Sequence, residues 1–288
     1  MPAKHVLVTG GAGFIGSHLC ERLVSLNYHV VSVDNYVFGR HNKPVEGVKY
    51  VTLHTKELPQ LVAFKPDLIY HLGEYSRVEA SLNEPERVWD LNVAGTFGVV
   101  KYWATHKSKL VYAGSSTKFG DGGLGRVQSP YALTKANNTE LVSCYARWYK
   151  LRHAVTYFYN VYGPRERPAN EYGTLIETFR RQYLAKEPLT VVSPGMQKRN
   201  FTHVDDIVDG LVLVGEAGEG DEFGLGAQES YSVREVAEMF GGEITMLPER
   251  PGNRMDADLD TSKSRAIGWR PRRRLKDYIA SIKAQAAR

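Results

Sequence analysis

The 288-residue chain is 42% hydrophobic and 24% charged, an ordinary composition for a soluble globular protein with one large core or two smaller ones. No run approaches about 18 consecutive apolar residues, which excludes a spanning helix. The net charge of +5 suits an anionic ligand, but much of it sits in the Arg270–Arg274 region, and no basic helix or nucleic-acid motif accompanies it.

The chain passes from Met-Pro-Ala-Lys directly into an apolar run, His5-Val6-Leu7-Val8-Thr9, read as a buried strand with no signal peptide ahead of it. Gly10, Gly13 and Gly16 follow, then a helical pattern at Ile15, Leu19, Leu23 and Leu26. One glycine lets the chain reverse, one lets a pyrophosphate approach bare backbone, and one lets the helix pack on the strand. The helix start at Gly13, Phe14 and Ile15 would offer free N–H groups and a positive dipole end to the phosphates. A second apolar run, Val30–Val33, ends in Asp34. A carboxylate there accepts from both ribose hydroxyls and repels a 2′-phosphate, so the sequence predicts NAD over NADP. Asn35, Gly39 and Arg40 form the expected edge of that site, with Arg40 the one residue that keeps NADP open.

Tyr50–Leu53 reads as a third strand, Leu58–Phe64 as a short helix and Leu68–Leu72 as a fourth strand. This alternation predicts an α/β fold, a Rossmann-type doubly wound parallel sheet. Ligands bind beyond the carboxyl ends of such strands, which places Leu72, Gly73, Glu74 and Arg77 at the crevice. Glu84-Pro85 opens a long helical pattern running to Tyr102. Cys20 and Cys144 both fall on predicted helices, as expected of reduced thiols in a cytoplasmic protein.

The next strand, Leu110–Ala113, ends in Gly114-Ser115-Ser116-Thr117. These hydroxyls are either turn and capping groups or donors aimed into the crevice. In Ser129-Pro130-Tyr131-Ala132-Leu133-Thr134-Lys135 the proline starts a helix, so Tyr131 and Lys135 share one face. A phenol titrates near pH 10, and a nearby ammonium stabilises its phenolate. The pair is either ordinary helix surface or an acid–base device for alcohol–ketone interconversion. The upstream dinucleotide loop favours the second.

These residues resemble the extended short-chain dehydrogenase/reductases, in the branch acting on nucleotide sugars. The matching segments are Thr9–Gly16, Asp34-Asn35 with Gly39-Arg40, Lys65–Leu72, Asn92–Thr96, Tyr131–Lys135, Tyr159–Arg165, Arg199–Asp206 and Arg250–Gly252. The resemblance implies that Gly10, Gly13 and Gly16 hold the pyrophosphate and Asp34 the adenosine ribose. Tyr131 would take the proton of a sugar hydroxyl while NAD takes the hydride, and Lys135 would bind the nicotinamide ribose. Counted back from Phe119-Gly120, where the family has Tyr-Gly, the catalytic hydroxyl falls on Ser115. Asn160, Arg199 and Arg250 would meet the substrate diphosphate, with Ser116, Thr117, Glu74 and Arg77 near the sugar. His54 stands where many relatives carry an adenine-contacting aspartate, and the Glu74–Arg77 segment is unlike the family's small residues.

Related enzymes share a 4-keto sugar with bound NADH and then diverge. Dehydratases carry Asp-Glu just after the catalytic hydroxyl, where this chain has Ser116 and Thr117. A decarboxylase would act on a glucuronate, whose carboxylate Arg77 or Arg165 could hold, though no specific mark points to one. The reading implied is a C4 epimerase on a UDP-sugar. The alternatives are a 4-dehydrogenase, for example on a GDP-heptose, and a non-catalytic NAD-binding redox sensor or scaffold. Residues 1–163, with about 201–226 returning, would form the NAD-binding unit. Residues 164–288 would form a smaller C-terminal α/β substrate domain. In that portion Leu175–Leu184 and Asp205–Val214 read as helices, Leu189–Val192 as a strand, and Ser232 with Glu235 as a capping box. The basic run after Trp269 reads as a solvated face. The family's four-helix bundle implies a homodimer through Pro85–His106 and Pro130–Lys150. No metal, nucleic acid or membrane partner is expected.

Overall fold

In the computed structural model, which describes residues 3–39, 43–61, 63–167, 173–249 and 259–286 (side chains of 120–123 excepted), the first apolar run forms β1 (His5–Thr9). The glycine turn then feeds α1 (Phe14–Ser25). Further strands are β2 (His29–Asp34), β3 (Val48–Thr52), β4 (Leu68–His71), β5 (Lys109–Ser115), β6 (His153–Phe158) and the two-residue β7 (Val161–Tyr162). Between them lie α2 (Pro85–Val88), α3 (Gly95–His106) and α4 (Pro130–Tyr149). The C-terminal portion adds α5 (Leu175–Leu184), β8 (Leu189–Val192), β9 (Lys198–Asn200), β10 (Thr202–His203) and α6 (Val204–Ala217). It continues with β11 (Gly220–Leu225), β12 (Ser230–Ser232), α7 (Val233–Phe240), β13 (Ile244–Leu247), α8 (Ser262–Ala266) and α9 (Leu275–Ala286).

Seven strands pair in parallel in the order β11-β6-β5-β4-β1-β2-β3, the doubly wound arrangement predicted. Alternate residues of β1 serve opposite faces. Val6 and Val8 pack in one core with Leu19 and Leu23 of α1 and Ile207 and Leu211 of α6. Leu7 joins a second core with Val99 and Trp103 of α3 and Val142 of α4. A third core gathers Phe179, Val191, Phe240, Ile279 and Ile282 in the C-terminal portion.

Four local expectations need correction. The third strand starts at Val48 and ends at Thr52, one residue short of Leu53. The helix expected over Leu58–Phe64 is instead a 3₁₀ segment, Thr55–Gln60, started earlier by His54. The His54 ring accepts from Lys56 N at 3.1 Å and Glu57 reaches back to His54 N at 3.4 Å, a capping box the apolar pattern did not signal. Helical structure does run through 85–106, but Trp89–Ala94 widens into a π-helical turn. That turn carries Asn92, whose side chain accepts from Tyr75 N at 2.7 Å and donates to Thr134 at 3.0 Å. Finally, the basic run is not merely a solvated face. Arg273 pairs at 2.8 Å with Asp206, which is 1% exposed, and Asp206 also accepts the backbone N–H groups of Arg272 and Arg273. Together with buried Trp269, this ties the tail to α6.

Candidate active site

The carboxyl ends of the central strands open on a cavity of about 640 Å³. Gly10, Gly13, Phe14, Ile15 and Gly16 form one wall, and Asp34, Asn35 and Gly39 extend it past β2. A Cβ on Gly10 would sit 2.8 Å from the backbone of Gly73, and one on Gly16 would sit 2.1 Å from the Gly10 carbonyl oxygen. The turn is therefore closed around bare backbone. The start of α1 has no capping side chain and no acid in its first turn, so its dipole end suits an anionic group. Asp34 accepts from Ala12 N at 3.1 Å and Tyr36 N at 2.8 Å, which locks the strand end to the glycine turn while leaving the residue on the cavity wall. These features fit a dinucleotide. Arg40 and Arg250 lie outside the described residues.

The opposite wall is built by β4, β5 and α4. Ser129 caps α4 by accepting from Ala132 N at 3.1 Å, and Pro130 occupies its first turn. That start presents Tyr131 and Lys135 to the cavity. The Tyr131 hydroxyl donates to Ser115 Oγ at 3.2 Å. Ser115 also accepts from Thr117 N at 3.3 Å and lies 2.9 Å from the Thr117 hydroxyl. One side chain thus serves both readings of the serine cluster: it caps, and it meets the cavity wall through Tyr131. Ser116 opens the 3₁₀ segment Ser116–Val127 and is not on the cavity wall.

Leu72, Gly73, Arg77 and Asn160 also line the cavity. Burial lowers the Arg77 guanidinium from its usual range, countered by Glu166. Asn160 adopts a left-handed backbone, φ 39°, and donates to Asn200 O at 3.3 Å. Arg199 sits on β9, donates to Lys198 O at 2.7 Å and is not on the wall.

Glu74 departs most from expectation. Its carboxylate turns inward, 3% exposed, and takes the ammonium of Lys135, which also donates to Ala113 O. The other oxygen accepts from Thr96 at 2.8 Å, Asn138 at 2.8 Å and Tyr112 at 3.1 Å. Burial opposes its charge, but the Lys135 ammonium and the hydrogen bonds from Lys135 and Thr96 outweigh burial and hold its carboxyl below the usual range. An ionised carboxylate only accepts, which fixes the direction of the chain behind it. Thr96 gives its hydrogen to Glu74 and accepts from His71 Nε2 at 2.9 Å, so His71 Nδ1 accepts from Thr9 at 2.7 Å. Thr9 in turn accepts from Gly73 N at 3.1 Å. Burial lowers the His71 imidazole to about 4, consistent with this neutral tautomer. Sequence reasoning did not find this network. Its signal was Glu74 itself, a carboxylate one position beyond a strand end and its glycine.

Also on the cavity wall, Phe38 carries the Arg167 guanidinium over its ring at 4.4 Å. Glu166 beside it accepts from Gly163 N at 3.1 Å and from Thr174, and burial pushes its carboxyl from 4.5 to about 7. The folded protein therefore binds this proton more tightly than the unfolded chain, and stability falls as pH rises from about 4.5 through about 7. Glu166→Gln is expected to flatten that part of the melting temperature–pH curve. A variant with the wild-type slope would remove Glu166 as its source.

The sequence pattern of the NAD dependent epimerase/dehydratase family matches residues 6–226. The chain is 31% identical to a UDP-glucose 4-epimerase of Mycolicibacterium smegmatis, over 95% of this chain and 96% of the relative. It is 29% identical to a putative UDP-glucose 4-epimerase of Methanocaldococcus jannaschii, covering 96% of each. The structure is similar to that of the Thermus thermophilus UDP-glucose 4-epimerase in complex with NAD, with TM-score 0.89, 26% identity and coverage of 98% and 99%. Relatives at 28% identity include a probable dTDP-glucose 4,6-dehydratase and UDP-glucuronic acid decarboxylases.

Proposed function

We propose a function from one premise: the chain belongs to the NAD dependent epimerase/dehydratase family. It is a nucleotide-sugar C4 epimerase, acting on a UDP-sugar. The observation that carries the reading is the Tyr131 hydroxyl on the cavity wall, 3.2 Å from Ser115 Oγ, with Lys135 on the same helix face. NAD, when bound, supplies the hydride acceptor. Tyr131 takes the proton of the sugar 4-hydroxyl and later returns it. Ser115 orients that hydroxyl, and Lys135 holds the nicotinamide ribose. Gly10, Gly13, Phe14, Ile15 and Gly16 hold the pyrophosphate, with Asp34, Asn35, Gly39 and Arg40 on the adenosine side. Leu72 and Gly73 floor the site. Asn160 and Arg250 take the substrate diphosphate, and Arg77 stands near the sugar. Ser116 and Thr117, hydroxyls where a dehydratase carries carboxylates, support epimerisation over elimination.

The same reading assigns residues 1–163, with about 201–226, to cofactor binding and 164–288 to the sugar nucleotide. The two sheet cores and the separate third core support that division. A cytoplasmic location accords with two free cysteines. Exposed Trp89, Phe97, Trp148 and Tyr149 on the α2–α3 and α4 segments support a homodimer through a four-helix bundle. Sedimentation at the mass of one chain would count against it. To test the reaction, UDP-glucose is incubated with the purified protein and NAD. Formation of UDP-galactose without free NADH is expected. Stoichiometric NADH release would convert the assignment to a 4-dehydrogenase, and inertness towards every UDP-sugar would reject it.

A further inference from the structure

The reaction proposed above gives Glu74 no role, yet the fold invests heavily in it. Its carboxylate is ionised, almost fully buried, and satisfied by Thr96, Asn138 and Tyr112 on one oxygen and Lys135 on the other. The donors behind it all point the same way, from Gly73 through Thr9, His71 and Thr96. His71 is neutral in that chain, so Lys135 and Glu74 are the two formal charges of the cluster. A glutamate whose only use was packing would leave an apolar residue as good or better, since buried ion pairs rarely outdo a hydrophobic replacement.

The position of the pair defines what it acts on. Asp34 ends β2, whereas Lys135 lies over the end of β5, three strands away in the sheet and so about 14 Å across it. An NAD with its adenosine ribose on Asp34 puts its nicotinamide end beside Lys135. The oxidised nicotinamide carries a positive charge that reduction removes. An uncompensated ammonium in a water-poor site would repel the oxidised form and not the reduced one.

We propose that Glu74 is a positioning residue that holds Lys135 in place and cancels its charge, so that the site accommodates oxidised cofactor without repulsion and sets the balance between NAD and NADH. This rests on the cofactor placement of the proposed function and adds a property that the tyrosine–lysine pair alone does not have. The charge balance matters for an epimerase, which must hold both redox states through one turnover.

The test measures binding, not turnover. Full-length protein freed of cofactor is titrated with NAD and with NADH at about pH 6.5, where an ammonium keeps its proton. In Glu74→Gln the ratio Kd(NAD)/Kd(NADH) should rise about tenfold or more. In Lys135→Gln, which removes the cation that would repel the oxidised form, it should not rise above the wild-type ratio. Removing both charges should restore it to within about threefold of wild type. The ribose hydrogen bonds of Lys135 serve both forms alike, so their removal cancels in the ratio. Equal weakening of both forms in Glu74→Gln would make Glu74 a packing residue and overturn the proposal. Should Glu74→Gln not fold, a ratio raised in Lys135→Gln overturns it equally. Wild-type protein that binds neither form defeats the cofactor reading along with it. Wild-type protein that binds both but epimerises nothing defeats only the proposed reaction.

Discussion

Tyr131→Phe is expected to lower kcat for UDP-sugar epimerisation by about 10²–10⁴, with NAD affinity close to wild type. Among the described residues, the phenol oxygen is the one titratable atom on the cavity wall hydrogen-bonded to Ser115, at 3.2 Å, and phenylalanine deletes only that atom. The ring and the N-terminal turn of α4 stay, because Ser129 and Pro130 set that turn without help from the hydroxyl. Loss of activity with retained cofactor therefore separates proton transfer from binding. Ser115→Ala removes the acceptor of the phenol and also the cap of the 3₁₀ segment, so it mixes the two effects and is the weaker experiment. Isothermal titration with NAD beside a coupled epimerase assay makes the measurement. Undiminished kcat in Tyr131→Phe would dismiss the catalytic assignment.

The parts of this site that were legible in the sequence share one property: each is set by neighbours in the chain. The glycine turn lies between a strand and a helix, and Asp34 ends a second strand. Tyr131 and Lys135 sit four residues apart on a proline-started helix. Fifteen predicted positions meet on one cavity because parallel strands deliver their carboxyl ends to one edge. What escaped depends on contacts distant in sequence. Glu74 reads as a sugar-side carboxylate until the fold brings Lys135, 61 residues on, against it. His71 reads as one more residue of a buried strand until Thr9 and Thr96 bracket its ring. His54 reads as a missing adenine contact, whereas in the fold its ring caps a 3₁₀ segment and meets Asp90 at 3.0 Å. Arg273 reads as any surface arginine until the fold brings the α6 carboxylates of Asp205 and Asp206 against it. Side-chain chemistry names candidates, but burial and pairing decide which way each one faces.

Two glycine substitutions in the opening turn are expected to fail in different ways. In Gly16→Ala the new Cβ would lie 2.1 Å from the Gly10 carbonyl oxygen and 2.8 Å from Gly11 Cα. Both obstacles are backbone, and Gly10 is itself wedged against Gly73, so nothing can give without opening the turn. A stability loss of about 3 kcal/mol, together with loss of NAD binding, is expected. In Gly13→Ala the nearest atom is the Gly10 oxygen at 3.2 Å, a tight contact that a few tenths of an ångström relieve. Its backbone is extended, φ −76° and ψ −177°, which alanine adopts without strain. Stability should stay within about 1 kcal/mol of wild type. Gly13 nevertheless lines the cavity at the start of α1, where a methyl group would occupy the approach to the helix N–H groups. NAD affinity should drop by about tenfold or more while the fold persists. Thermal melts with and without NAD distinguish the cases: Gly16→Ala melts early in both, and Gly13→Ala melts normally but gains little from NAD. If instead Gly13→Ala is stabilised by NAD as fully as wild type, the phosphates do not pass over this residue. The three glycines would then belong to strand–helix packing alone.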